Sequence, residues 1–243
     1  MTAVDAGWRI DAVGDAALLV GFGDSVDPGT SERVHAFVQH LLEAPLAGVR
    51  DVVPAFTTVT LHYRPEQVEG SGGFPFDRLR EQVLRRLALE IDAHDVVPRV
   101  FEVPVWYGGE AGPDLVDVAR QCGLGEAEVV RRHGASPHRV YMLGFAPGFP
   151  FIGGLDPALA MPRRTTPRTH VPAGSVAITR DQTCIYPLET PGGWNLIGRT
   201  PLRLFDPSAD TPCLMGPGDA IRFVPIDEPT YRAMLAGRAG DAA

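Results

Sequence analysis

The sequence has no lysine: each of its 22 basic residues is an arginine. An imine-forming catalyst needs an amine that can lose its proton, and a phosphate-binding loop of the P-loop kind needs an ammonium after its second glycine. Both chemistries are excluded, and Gly148 and Gly153, which have that loop's spacing, are followed by Gly154 where lysine should stand. Cysteine is scarce as well. Cys122, Cys184 and Cys213 are odd in number and widely spaced, and Asp5 and Arg9 break up the first residues. Neither a disulfide framework nor a secretory leader is expected, and a reducing cytoplasm is the expected compartment. Long apolar runs are also missing. The longest uncharged stretch, Val140 to Leu155, is interrupted by Pro147, Pro150 and four glycines, too short and broken to cross a bilayer. Positive charge is in short supply, with 22 basic against 30 acidic residues and a net charge of -8. Such a surface repels a phosphate backbone, so no nucleic-acid partner is expected. No GxSxG, HExxH, CxxC or GxGxxG motif is present.

What is present suits a folded protein. The 243 residues are 44% hydrophobic and 21% charged, enough to bury a large core in one or two domains. Trp8 to Val13 and Ala16 to Phe22 read as strands joined by a tight turn at Gly14-Asp15. Asp27-Pro28 then caps a helix whose apolar face is Val34, Phe37, Val38, Leu41 and Leu42. Val49 to Val53 and Thr57 to Tyr63 are strand-like, separated by Pro54. After the Gly70-Ser71-Gly72-Gly73 stretch, Leu79, Val83, Leu87 and Ile91 define a second helix. The order ββαββα predicts a two-layer α+β sandwich, one sheet face under two helices. Asp92 to Pro98, charged and without periodicity, marks the expected boundary between a domain of residues 1–95 and one of 96–243.

From Arg99 the texture changes. Val100 to Tyr107 is a strand whose Pro104 suggests an edge or a bulge. Two short helices follow, one opened by Pro113 and closed by Gly123, the other running from Glu126 to His133. Arg139 to Leu143, Ser175 to Thr179, Thr183 to Tyr186, Trp194 to Ile197, Leu202 to Phe205 and Ala220 to Val224 then read as strands. Short strands with dense turn residues suggest a small closed β-barrel.

The segment Tyr141 to Pro201 holds nine prolines and eight glycines. Phe145, Phe149, Phe151, Ile152 and Trp194 are interspersed without repetition, and a disordered linker has no reason to carry aromatics that need burial. Stiff loops packed on a barrel fit better, and proline and glycine lower the entropy cost of holding a binding surface in place. Arg163, Arg164, Arg168, Arg180 and Arg199, with Arg203 just beyond, face only Asp156, Asp181 and Glu189 here, so this stretch is basic within an acidic chain. An anionic small molecule is the natural ligand, because guanidinium groups hold carboxylate or phosphate through paired hydrogen bonds. His170, among the arginines, reads as a base, an anion contact or a solvated loop residue. Glu189 reads as a base, a metal contact or a turn cap. Ser175 is either a ligand contact or a strand-start hydroxyl, and His133 a structural residue at a helix C-terminus, where the dipole favours a cation.

Three motifs in order carry a family resemblance: Val140-Tyr-Met-Leu-Gly-Phe-Ala-Pro-Gly-Phe-Pro-Phe-Ile-Gly-Gly-Leu155, the Thr166 to Ile178 stretch TPRTHVPAGSVAI, and Ile185 to Pro201, IYPLETPGGWNLIGRTP. They closely resemble the family of 5-oxoprolinase B subunits, which also includes the sporulation-kinase inhibitor and proteins labelled allophanate hydrolase subunit 1. The ββαββα unit and the Gly216 to Pro225 stretch look like the family too. The resemblance implies a cyclophilin-like β-barrel without isomerase activity. It also implies one component of an ATP-dependent lactam hydrolase, working with a C subunit (allophanate hydrolase subunit 2-like) and an A subunit to convert 5-oxo-L-proline, ATP and water to L-glutamate, ADP and phosphate. ATP, with Mg2+, would be bound by the complex, and the chain alone would be nearly inert. Under this reading Arg163, Arg168 and Arg199 contact substrate carboxylate or nucleotide phosphate, alongside Ser175, Trp194, Asn195, Phe145 and Phe149. Glu189 or His170 handles protons, and no metal site is expected in the chain. The alternatives are a histidine-kinase inhibitor and a carboxyltransferase-like component of a urea or allophanate pathway, to which biotin would have to come on another protein.

Overall fold

The computed structural model describes residues 8–89 and 98–241, and the chain divides into two compact units, Met1–Val97 and Pro98–Ala243. Ile91, and all of the expected linker Asp92–Pro98 except its last residue, lie outside the described residues.

The first unit runs β1 (Arg9–Ala12), β2 (Ala17–Gly21), α1 (Pro28–Glu43), β3 (Val49–Pro54), β4 (Thr58–Tyr63) and α2 (Pro75–Leu87). Its sheet is antiparallel in the order β1-β2-β4-β3. Gly14 makes the β1–β2 turn with φ of +61°, a region glycine enters without steric penalty. The Asp27 carboxylate accepts from the Thr30 amide at 2.9 Å, satisfying one of the free donors at the start of α1. Alternation along β2 and β4 points Leu18, Val20, Val59 and Leu61 to one face, where they share a core with Val34, Phe37 and Leu41 of α1 and Leu79, Val83 and Leu87 of α2. The predicted α1 stripe is too wide: Leu42 is 59% exposed.

The second unit begins with β5 (Val100–Tyr107), α3 (Leu115–Cys122), α4 (Glu126–Ala135), β6 (His138–Leu143) and β7 (Pro150–Gly153). It continues with β8 (Arg168–Val171), β9 (Ser175–Thr179), β10 (Gln182–Ile185), β11 (Thr190–Gly192), β12 (Asn195–Arg199), β13 (Ala220–Ile226) and α5 (Glu228–Asp241). Seven strands close a barrel in the order β10-β7-β6-β13-β5-β12-β9, sealed by the β9–β10 hairpin, while β8 and β11 form a separate ribbon. On β9 every residue is buried. The reason is that Val176 and Ile178 point into the barrel core, while Ala177 points outward into a second cluster made by Phe149, Val171, Cys184, Tyr186, Trp194 and Leu196. The ribbon and its flanking loops therefore cover the outside of the barrel wall.

Several sequence expectations change. Leu202 to Phe205 is not a strand; only an isolated bridge joins Phe205 to Cys213. Strand β5 is interior in the barrel order, yet its ladder with β12 is confined to Trp106 and Tyr107, so the stretch around Pro104 has a strand partner on one side only. A missing donor is tolerated there. Strands β7, β8 and β11 and helix α5 have no counterpart in the sequence reading. Among the described residues, no helix is long and apolar enough to cross a membrane.

Candidate functional site

On the outer barrel wall, the β6–β7 loop, the loop before β8 and the β11–β12 junction meet around a cavity of about 200 Å3. Its walls are aromatic. Phe149 stands edge-on to Tyr186 at 5.2 Å and near-perpendicular to Trp194 at 6.3 Å, and Phe145 stands edge-on to Phe149 at 5.2 Å. Gly192 closes one side because a Cβ at that position would collide with the Tyr186 hydroxyl. At the mouth, Phe145 is 67% exposed with φ of +67°, a backbone state that costs a residue with a Cβ roughly 1–2 kcal/mol. The fold holds an apolar ring in water, in a strained conformation, next to the opening.

The cationic side of the cavity is supplied by Arg163 and Arg164. Arg164 is anchored. Its Nη1 donates to Asp114 Oδ1 at 2.7 Å, and Arg168 donates to both oxygens of the same carboxylate at 2.8 Å. The Leu196 amide donates to Asp114 Oδ2 at 2.7 Å, so the Asp114 side chain, only 4% exposed, is fully committed. One buried anion thus fixes two guanidinium groups and the N-terminal half of β12. Arg164 Nε is buried without a hydrogen-bond partner. Arg163 has no hydrogen-bonded or ionic partner among the described residues. Its positive field instead lowers the ionisation cost of Tyr186, whose hydroxyl is pushed well above its usual range, chiefly by burial. Three cations against one anion leave the site positive.

His170 and Glu189 are brought together: Nδ1 and Oε1 lie 3.2 Å apart, with both side chains mostly in water. They sit at the end of the β8–β11 ribbon, two residues along β8 from Arg168, or about 7 Å.

Other sequence candidates go elsewhere. Arg199 lies at the opposite end of β12 from Asn195, about 13 Å along the strand, and its Nε donates to the Ala173 carbonyl at 2.8 Å. The three arginines expected to act together are therefore split: Arg163 lines the cavity, Arg168 is spent on Asp114, and Arg199 is remote. Asn195 donates to the Pro162 carbonyl at 2.9 Å and the Ile178 carbonyl at 3.3 Å, tying the arginine loop to the barrel. Ser175 is buried at the start of β9, where its carbonyl accepts from the Tyr186 amide. The cation expected at His133 is corrected. The ring is fully buried, and burial holds its pKa well below the ordinary value, so it is neutral. Thr183 donates to the Ala177 carbonyl, so its oxygen accepts from His133 Nε2 at 3.0 Å and leaves Nδ1 to accept from Tyr107 at 2.8 Å.

Asp114 escaped the sequence reading. An acid after proline at a helix start looks like a cap, yet it makes no side-chain cap bond to α3. Tyr186, read only as the end of a strand, gave no signal of a site. Among the described residues, no group of three or more His, Cys, Asp or Glu is placed to hold a metal ion.

The profile of the carboxyltransferase domain, subdomain C and D, matches residues 8–215. The 5-oxoprolinase B subunit of Bacillus subtilis (strain 168) is 42% identical over 231 residues, 93% of this chain and 96% of that protein. That of Escherichia coli O157:H7 is 42% identical over 221 residues, 90% of this chain and 97% of that protein. Among solved structures, TTHA0988 superposes with a TM-score of 0.75 at 39% identity over 88% of this chain, which spans 40% of the TTHA0988 chain.

Proposed function

Because the chain belongs to the carboxyltransferase-domain family, subdomain C and D, and is 42% identical over most of its length to B subunits of 5-oxoprolinase, we propose that it is the B subunit of an ATP-dependent 5-oxoprolinase, acting with the A and C subunits. The observation that carries this reading is the aromatic cavity with Arg163 unpaired beside the Arg164–Asp114–Arg168 cluster. It is a rigid receptor for one small anion.

The proposed reaction opens a lactam. The lactam oxygen accepts the γ-phosphoryl group of ATP, one water adds at the same carbon and the ring C–N bond breaks to give the free amine and an acyl phosphate, and a second water displaces phosphate to leave the γ-carboxylate. Phosphoryl transfer depends mainly on positioning and on cations near the developing charge, which the guanidinium cluster supplies. In this reading the His170–Glu189 pair takes a proton from the attacking water. ATP, and the magnesium that accompanies it, belong in this reading to the assembled complex; no ready-made metal cage exists among the described residues.

The test is reconstitution with the A and C subunits. ATP hydrolysis that depends on 5-oxoproline should appear with this chain and vanish without it, and Arg168→Ala should lower turnover at least tenfold. The family's name favours a second reading, carboxyl transfer in a urea pathway. In that case activity would require a separate biotin carrier and urea in place of 5-oxoproline.

A further inference from the structure

The cavity discriminates by charge as well as by size. Its volume, about 200 Å3, lies below the roughly 300 Å3 at which pockets begin to hold drug-sized ligands, so it encloses a small molecule and not a whole nucleoside triphosphate. Arg163 and Arg164 are the charged residues of the lining, and no carboxylate is among them. Asp114, behind the lining, is saturated by two arginines and the Leu196 amide, and Glu189, paired with His170, does not line the cavity. One guanidinium awaits a ligand: Arg163 has no partner among the described residues, while Arg164, held by Asp114, adds positive charge to the wall. Opposite them stand the faces and edges of Phe149, Tyr186 and Trp194.

We infer that this cavity is a subsite for a small cyclic carboxylate whose ring nitrogen is uncharged, and that it rejects free amino acids. This rests on the 5-oxoprolinase reading and assigns the lactam acid, not the nucleotide, to this chain. The carboxylate pairs with the Arg163 guanidinium in the field of Arg164, and the methylene edge of the ring packs on the aromatic wall. A charged α-ammonium, whether of proline or of the ring-opened glutamate product, would enter a site with two guanidinium groups and no free anion. Opening the ring creates that ammonium, so the product is expelled by the cations that held the substrate.

Isothermal titration of the full chain with 5-oxo-L-proline, L-proline, L-glutamate, 2-pyrrolidinone and Mg-ATP tests the assignment. 5-Oxo-L-proline should bind, and the two amino acids and 2-pyrrolidinone should bind at least tenfold more weakly. Mg-ATP should not displace it, and Arg163→Gln should weaken it at least tenfold with an unchanged unfolding midpoint. Absence of 5-oxoproline binding, equal binding of L-proline, or displacement by ATP overturns the inference. In the reconstituted complex Arg163→Gln should raise KM for 5-oxoproline and leave KM for ATP unchanged. The reverse split overturns the inference while the 5-oxoprolinase reading stands. A wild-type complex without 5-oxoproline-dependent turnover overturns the 5-oxoprolinase reading, and the titration still decides the cavity's preference.

Discussion

Arg168 grips Asp114 with two parallel hydrogen bonds of 2.8 Å, joining a strand on the outer ribbon to a residue 54 positions earlier in the chain. The sequence presents Arg168 as an anion-binding residue, and it is one, but the anion is the protein's own. What this pairing contributes to a ligand site is position: it holds Arg164 and the loop that carries Arg163.

Asp114→Asn should therefore act on stability first. It removes the charge that two guanidinium groups and a buried amide share, and breaking such a buried pair from one side costs about 3 kcal/mol. Urea denaturation followed by Trp fluorescence should show a lower midpoint with an unchanged slope.

Phe145→Gly should do the opposite. It relieves the left-handed backbone and loses one edge-to-face contact worth about 1 kcal/mol, so stability should hold or rise by up to about 1 kcal/mol. Turnover in the reconstituted complex should fall several-fold, because the ring at the mouth of the cavity is gone. A variant that loses both stability and activity would contradict this division.

Stability should fall in mild acid. Burial depresses the pKa of His133 and His138 in the folded state below the ordinary 6.5. The unfolded chain then binds more protons, so the stabilising contribution is complete above pH 6.5 and is lost as pH falls below it. Each histidine steepens the loss toward about 1.4 kcal/mol per pH unit. Unfolding midpoints measured from pH 7.5 to 5 should show this slope, and His138→Gln should reduce it.

Glu189→Gln tests the proton-handling pair. It should lower kcat of the complex more than tenfold with KM for 5-oxoproline within about twofold, since Glu189 sits beside His170 and does not line the cavity. Arg199→Gln, at the far end of β12, should leave both parameters within about twofold.

Much of the fold was legible in the residues. The first unit's strands and helices followed from period-two and period-3.6 apolar spacing and from the Asp27 cap, and β9 from an apolar run between turn residues. Strands β7, β8 and β11 were hidden because they begin with proline, carry the polar Arg168 and His170, or consist of Thr190-Pro191-Gly192, compositions that read as loop. Their strand character comes from pairing, β8 with β11 and β7 with β6 and β10. For the site, the location of the Pro/Gly/aromatic segment was legible. Which arginines would be spent internally was not, since that depended on Asp114 reaching across the barrel wall.

The parallel pairing of β5 with β13 spans seven residue pairs, from Val100 with Ala220 to Trp106 with Ile226. The opening strand of this unit thus takes its main partner from a strand far later in the chain. At roughly 5–20 residues per second, synthesis keeps the two apart for on the order of ten seconds. Throughout that interval the nascent chain carries an open β-edge along β5, which β13 later seals.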